Sequence, residues 1–124
     1  MKKLILLLLL LLTMSCGSNK DLLGTWNWQG TSGGINEPVE NAETTSKIPA
    51  LVITKDSIKE YEKGILMGAR AYHIETRKSK LTGKYQKMII YEDGTLPHFF
   101  KLQGQELILY EECNDCYQYR YMKN

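Results

Sequence analysis

Apolar and polar residues alternate along most of this chain with a period of two, the spacing that sends successive side chains to opposite faces of a strand. In Leu23-Gly24-Thr25-Trp26-Asn27-Trp28-Gln29 both tryptophans fall on one face, and Thr25, Asn27 and Gln29 fall on the other. Seven further segments carry a strand signal, near 49–55, 57–63, 68–77, 85–91, 97–102, 106–111 and 117–122. Turn formers separate them, among them Lys63-Gly64, Glu92-Asp93-Gly94-Thr95, Gln103-Gly104-Gln105 and Asn114-Asp115. Segment 57–63 is also compatible with a single helical turn. No stretch sustains a long helical period.

Eight strands at this rhythm predict an all-β fold, a small antiparallel up-and-down barrel of eight strands, because closure removes the edges that a small open sheet exposes. A barrel of this size either packs its interior with side chains or leaves room for one small ligand. Between the first two strands, residues 30–47 contain Gly33-Gly34, Pro38 and almost no apolar side chains, which predicts a long loop.

The N-terminus departs from this pattern. Met1-Lys2-Lys3 precedes nine consecutive Leu or Ile residues, Leu4 to Leu12, and then Thr13-Met14-Ser15-Cys16. Basic, apolar and small residues in that order mark a secretory signal. The apolar run falls well short of the roughly 20 residues that a spanning helix needs. The segment resembles bacterial lipoprotein signal peptides, in which a small residue precedes a lipidated Cys, and Ser15-Cys16 fits that pattern. The resemblance implies a signal peptide over 1–15, lipid on Cys16 with a short tether over 16–21, and a folded domain over 22–124. Acyl chains would hold the domain on a membrane, each buried methylene contributing about 0.8 kcal/mol. The alternative is a plain secretory signal cleaved near Ser15, which leaves Cys16 as a thiol.

Removing the signal changes the charge. Without Lys2 and Lys3 the basic residues fall from 16 to 14 and equal the 14 acidic ones. A nucleic-acid partner therefore loses its compositional support. The remaining 109 of the 124 residues make one small domain, in which eight Tyr, two Trp and two Phe are the main supply of core volume.

Candidate chemistry is sparse. His73 and His98 lie in different strands with no Cys or carboxylate at a metal-like spacing, so no metal site is expected. Ser57 and Ser79 lack a nucleophile elbow, and no phosphate-binding Gly loop points to a cofactor. Glu60 and Glu62 sit among Lys59 and Lys63, the pattern of a solvated face. Cys113-Asn114-Asp115-Cys116 lies between two strands around a favourable turn, which suits a disulfide across a hairpin mouth. A redox pair or a metal pair is the alternative. The aromatics Trp28, Tyr72, Tyr85, Tyr91, Phe100 and Tyr119 are candidates for lining an apolar ligand pocket, and simple core packing is the other reading of them.

Leu23-Gly24-Thr25-Trp26 resembles the Gly-x-Trp that opens the first strand of lipocalins. The tail segments Leu107-Ile108-Leu109, Cys113-Asn114-Asp115 and Tyr119-Arg120-Tyr121 are similar to the ends of small lipocalin-like lipoproteins from Bacteroides relatives. The resemblance implies that Gly24 makes a tight entry into the barrel, that Trp26 plugs one end, and that Arg120 lies over the Trp26 ring. It further implies a non-enzymatic, lipid-anchored protein of the bacterial cell envelope, with the outer membrane as its expected location. The barrel would bind a small apolar or amphipathic ligand or serve as a scaffold. The alternative is an interaction or inhibitor module that engages an envelope protein through the 30–47 loop.

Overall fold

The computed structural model describes residues 19–33, 40–41, 48–112 and 116–124. A short 3-10 turn, Lys20–Leu22, leads into β1 (Gly24–Gly33). Then follow β2 (Glu40–Asn41), β3 (Pro49–Ile53), β4 (Ser57–Glu62), β5 (Ile65–Lys78), β6 (Tyr85–Tyr91), β7 (His98–Gln103), β8 (Glu106–Glu111) and β9 (Tyr117–Lys123). From β3 to β9 each strand pairs antiparallel with the next, and β1 pairs with both β3 and β9. The result is a closed up-and-down barrel of eight strands, with the two-residue β2 added beside β1.

All eight expected strands are present, and 57–63 holds a strand rather than a helical turn. The expected 30–47 loop is a correction in part. Residues 30–33 extend β1, and Gly30 and Thr31 pair with Asn41 and Glu40. The rest of that interval, 34–39 and 42–47, lies outside the described residues, as do Cys16 and Cys113.

Register fixes which side chains face inward, because residues paired across a ladder share a face. Trp26 pairs with Leu51 and Lys123, Ile53 with Ile58, Tyr72 with Tyr91, and Leu109 with both Phe100 and Tyr119. Leu22, Trp26, Ile53, Ile89 and Leu107 are at most 2% exposed and belong to one core. Each such side chain stabilises the fold by about 1.5–3 kcal/mol.

The 3-10 turn closes one end of the barrel. The Trp26 indole Nε1–H donates to the Leu22 carbonyl at 2.8 Å, and Leu22 itself is fully buried. Gly24 adopts φ +136°, and a Cβ there would stand 3.1 Å from Lys123 Cε. A side chain at that bend is thus disfavoured by conformation and by space, which is the tight entry expected of Gly24.

The cation over Trp26 is Lys123, with Nζ 5.5 Å from the ring centroid. This corrects the role expected of Arg120. Arg120 pairs with Ile108 and Gly30, its side chain is 58% exposed, and its Nε lies 3.7 Å from Glu106 Oε1 on the outer surface. The reason is strand parity: Tyr119, Tyr121 and Lys123 share the inner face of β9, and Arg120 alternates with them. The lipocalin resemblance loses the support that an Arg120–Trp26 contact would have lent it.

Candidate functional site

Away from the 3-10 turn the interior opens into a cavity of about 830 Å³. Leu51, Ile58 and Leu109 supply its apolar wall, and Leu96 and Pro97, from the β6–β7 connection, reach its rim. Tyr91, Tyr119 and Tyr121 line it as well, together with Glu60, Arg70, His98 and Glu111.

Register explains how four titratable side chains come to face inward. Ile58 pairs with Arg70, Leu51 with Glu60, Ile89 with His98, and His98 with Glu111. Each polar residue thus occupies a position whose partner is a core residue or another member of the same set. Parity also separates Glu111 from Glu112, whose Oε1 accepts the Lys80 N–H at 2.6 Å and ties the β5–β6 turn to the end of β8.

These groups form a continuous chain of contacts. Arg70 reaches Glu60 at 3.5 Å and Asp93 at 3.7 Å, and its guanidinium carbon lies 5.3 Å from the centre of the Tyr91 ring. The Tyr91 hydroxyl meets His98 Nδ1 at 2.7 Å. The His98 ring stands edge-on to Tyr91 and Tyr119, with centroids 5.5 and 6.0 Å away. The Tyr119 hydroxyl donates to Glu111 Oε1 at 2.5 Å, and Glu111 Oε2 accepts the Tyr117 N–H at 3.4 Å.

Burial sets the protonation of this chain. Desolvation lowers the His98 pKa; Glu111 opposes that effect and Arg70 reinforces it, so the imidazole is neutral at pH 7. Desolvation also pushes Tyr91 up to about 12. Tyr119 rises through burial and then through its bond to Glu111, and Tyr121 rises through burial and then through nearby Glu60. These phenols stay protonated and serve as hydrogen-bond donors and acceptors.

Of the six aromatics expected to line a pocket, the structure brings Tyr91 and Tyr119 to the cavity. The other four lie elsewhere. Trp28 is buried and donates through Nε1 to Thr31 Oγ1 at 3.0 Å. Tyr72 is a core residue whose hydroxyl donates to the Thr54 carbonyl at 2.6 Å. Phe100 packs against the core cluster, and Tyr85 is 74% exposed where β6 begins. Tyr85 shares parity with Ile89 and Tyr91, but alternation alone does not show where a strand runs out of neighbours.

Glu60, Arg70, His98 and Glu111 are among the cavity residues that sequence reasoning missed. Glu60 in particular corrects the expectation of a solvated face, although its side chain remains 45% exposed. A signal was present for His98 and Glu111: each shares strand parity with apolar residues, Phe100 and Leu102 for the first, Leu107 and Leu109 for the second. Cys116 is disulfide-bonded, and its expected partner Cys113 lies outside the described residues.

Comparison with models of protein families, with curated proteins and with solved structures finds no match to this chain.

Proposed function

We propose that this chain is a non-enzymatic binding barrel of the bacterial cell envelope, held to a membrane by lipid on Cys16, that takes one small amphipathic molecule. The carrying observation is the cavity of about 830 Å³, lined by apolar Leu51, Ile58 and Leu109 and by a hydrogen-bonded polar set on the same and neighbouring strands. That volume and that combination suit a small ligand whose body is apolar and whose orientation is fixed by a few polar contacts. Tyrosines with raised pKa and a neutral, hydrogen-bonded His98 favour binding over chemistry. No activated nucleophile stands beside a base among them. The signal-like N-terminus supports the envelope location, and the lipocalin resemblance of Gly24 and Trp26 supports the use of the barrel.

Native mass spectrometry of the protein released from its own membrane tests this function. A retained small molecule, lost on Leu109→Trp substitution while the strand circular dichroism persists, is the expected result. Repeated empty spectra, together with no uptake of apolar fluorescent probes, would overturn it.

A further inference from the structure

β5 has 14 residues against 6 in β4 and 7 in β6, and its two neighbours share it end to end. Its first half, through Ala71, pairs with β4, and its second half, Tyr72 to Lys78, pairs with β6. Among the described residues none pairs with the far side of Ile65 to Arg70. The barrel therefore carries an open strand edge there.

Alternation along β5 shows which backbone groups face that edge. The Ala71 carbonyl points to the β6 side and accepts the Glu92 N–H at 3.0 Å, whereas the Tyr72 N–H donates to the Asp56 carbonyl on the β4 side at 3.2 Å. Two residues before Ala71, Ala69 thus presents both its N–H and its C=O to the open side. Glu62 and Ile65 close a two-residue hairpin around Lys63-Gly64 and bond to each other, so Leu66 faces the open side too. Proteins ordinarily blunt such edges with charge, proline or brevity. Here Ile65, Leu66 and Met67 are 65%, 52% and 60% exposed, Gly68 and Ala69 are exposed as well, and no residue from Gly64 to Ala69 is charged. Met67 has no partner on β4, and this bulge bends the strand but leaves it apolar.

We propose that this edge is the contact between two copies of the chain, joined antiparallel about a two-fold axis between Met67 and Gly68. The edge is self-complementary in that alignment. Leu66 of one copy meets Ala69 of the other, the two residues whose backbone groups face outward, so the pair exchanges two hydrogen bonds and the symmetry supplies it twice. Met67 meets Gly68, where a Cβ would find nothing within 4 Å, so a large side chain is set against open space. Lys63 of each copy comes to the end of the edge where Glu92 opens the other copy's β6–β7 connection, and opposite charges then flank an uncharged centre. The contact lies on the outside of the barrel and does not depend on what the cavity binds.

Sedimentation equilibrium of the full chain in density-matched detergent tests the proposal, and a concentration-dependent monomer–dimer equilibrium is expected. Leu66→Lys, which puts a charge on the edge, and Ala69→Pro, which deletes an outward N–H from each copy, should each weaken the dimer by about tenfold or more with the melting temperature retained. Ile48→Lys changes a side chain that is 69% exposed but lies off this edge, and should leave the dimer intact. A monomer at every concentration overturns the proposal, as does a dimer that both edge variants leave unchanged or that Ile48→Lys weakens equally. A monomer whose uptake by phosphatidylcholine vesicles is lost in Leu66→Lys assigns the edge to a membrane and overturns it likewise.

Discussion

Lys123 and Arg120 stand three residues apart on one strand and do different work. The Lys123 stem passes Gly24, its ammonium lies over the Trp26 ring, and it donates to the Asp21 carbonyl at 3.4 Å. It therefore links the closing strand to the 3-10 turn that seals the barrel. Lys123→Ala is expected to lower stability by about 0.5–2 kcal/mol through the lost cation and ring contact. Arg120→Ala, which removes one exposed ion pair, should change stability by less than about 1 kcal/mol. Urea midpoints of the two variants, compared with the parent, measure the difference, and equal losses would deny Lys123 this role. A residue name and an approximate place in the chain suggested Arg120. Alternation on β9 selects Lys123, because it shares a face with Tyr119 and Tyr121.

At the scale of elements, the turns hold the strands in register and also carry the strain. Lys63 and Gly64 join β4 to β5 with φ of 49° and 76°, the pair of positive values typical of a tight hairpin. Lysine has no side-chain compensation for that conformation, whereas asparagine adopts it more readily. Lys63→Asn is expected to stabilise the fold by about 0.5–1 kcal/mol, read as a higher urea midpoint at constant slope. Gly33 is the opposite case. Its φ is +94°, and a Cβ would stand 2.6 Å from the Cys116 carbonyl oxygen, so β1 and the start of β9 would have to separate. Gly33→Ala should cost about 1–3 kcal/mol or more, and Gly64→Ala, with open space around it, less.

The strands were legible in the sequence because Gly-containing turns interrupt alternating apolar runs. The end of β1 was not, since Gly30-Thr31-Ser32-Gly33 is strand through its partners on β9 and, at Gly30 and Thr31, on β2. The polar interior was hidden for a related reason. A charged residue on a strand reads as solvent-facing until the register shows that Arg70 pairs with Ile58 and Glu111 with His98.

For the whole molecule, enclosing His98 among Tyr91, Tyr119, Arg70 and Glu111 couples stability to pH. Its folded pKa is lowered from the ordinary 6.5, so below that pH the unfolded chain takes up a proton that the barrel resists. This contribution is complete above pH 6.5 and is lost as pH falls through the lowered value. Glu75 and Asp93, held low chiefly by hydrogen bonds from His73 and Thr95 respectively, act only below their ordinary 4.5 and 3.8. The interval between about pH 6.5 and pH 5 therefore isolates His98 from them. Tyr91 shares the alkaline limit, of opposite sign, with Tyr72, Tyr119 and Tyr121, whose pKa values are also raised: its own is raised from 10 to about 12, so its contribution is complete below pH 10 and declines as pH rises through that range. The parent urea midpoint is expected to fall from roughly pH 7 to pH 5, and His98→Gln to flatten that fall while leaving the alkaline decline in place. Tyr91→Phe should do the reverse, removing its share of the alkaline decline and keeping an acid one. If His98→Gln leaves the acid slope unchanged, the proton is taken up elsewhere and the His98 enclosure does not control it.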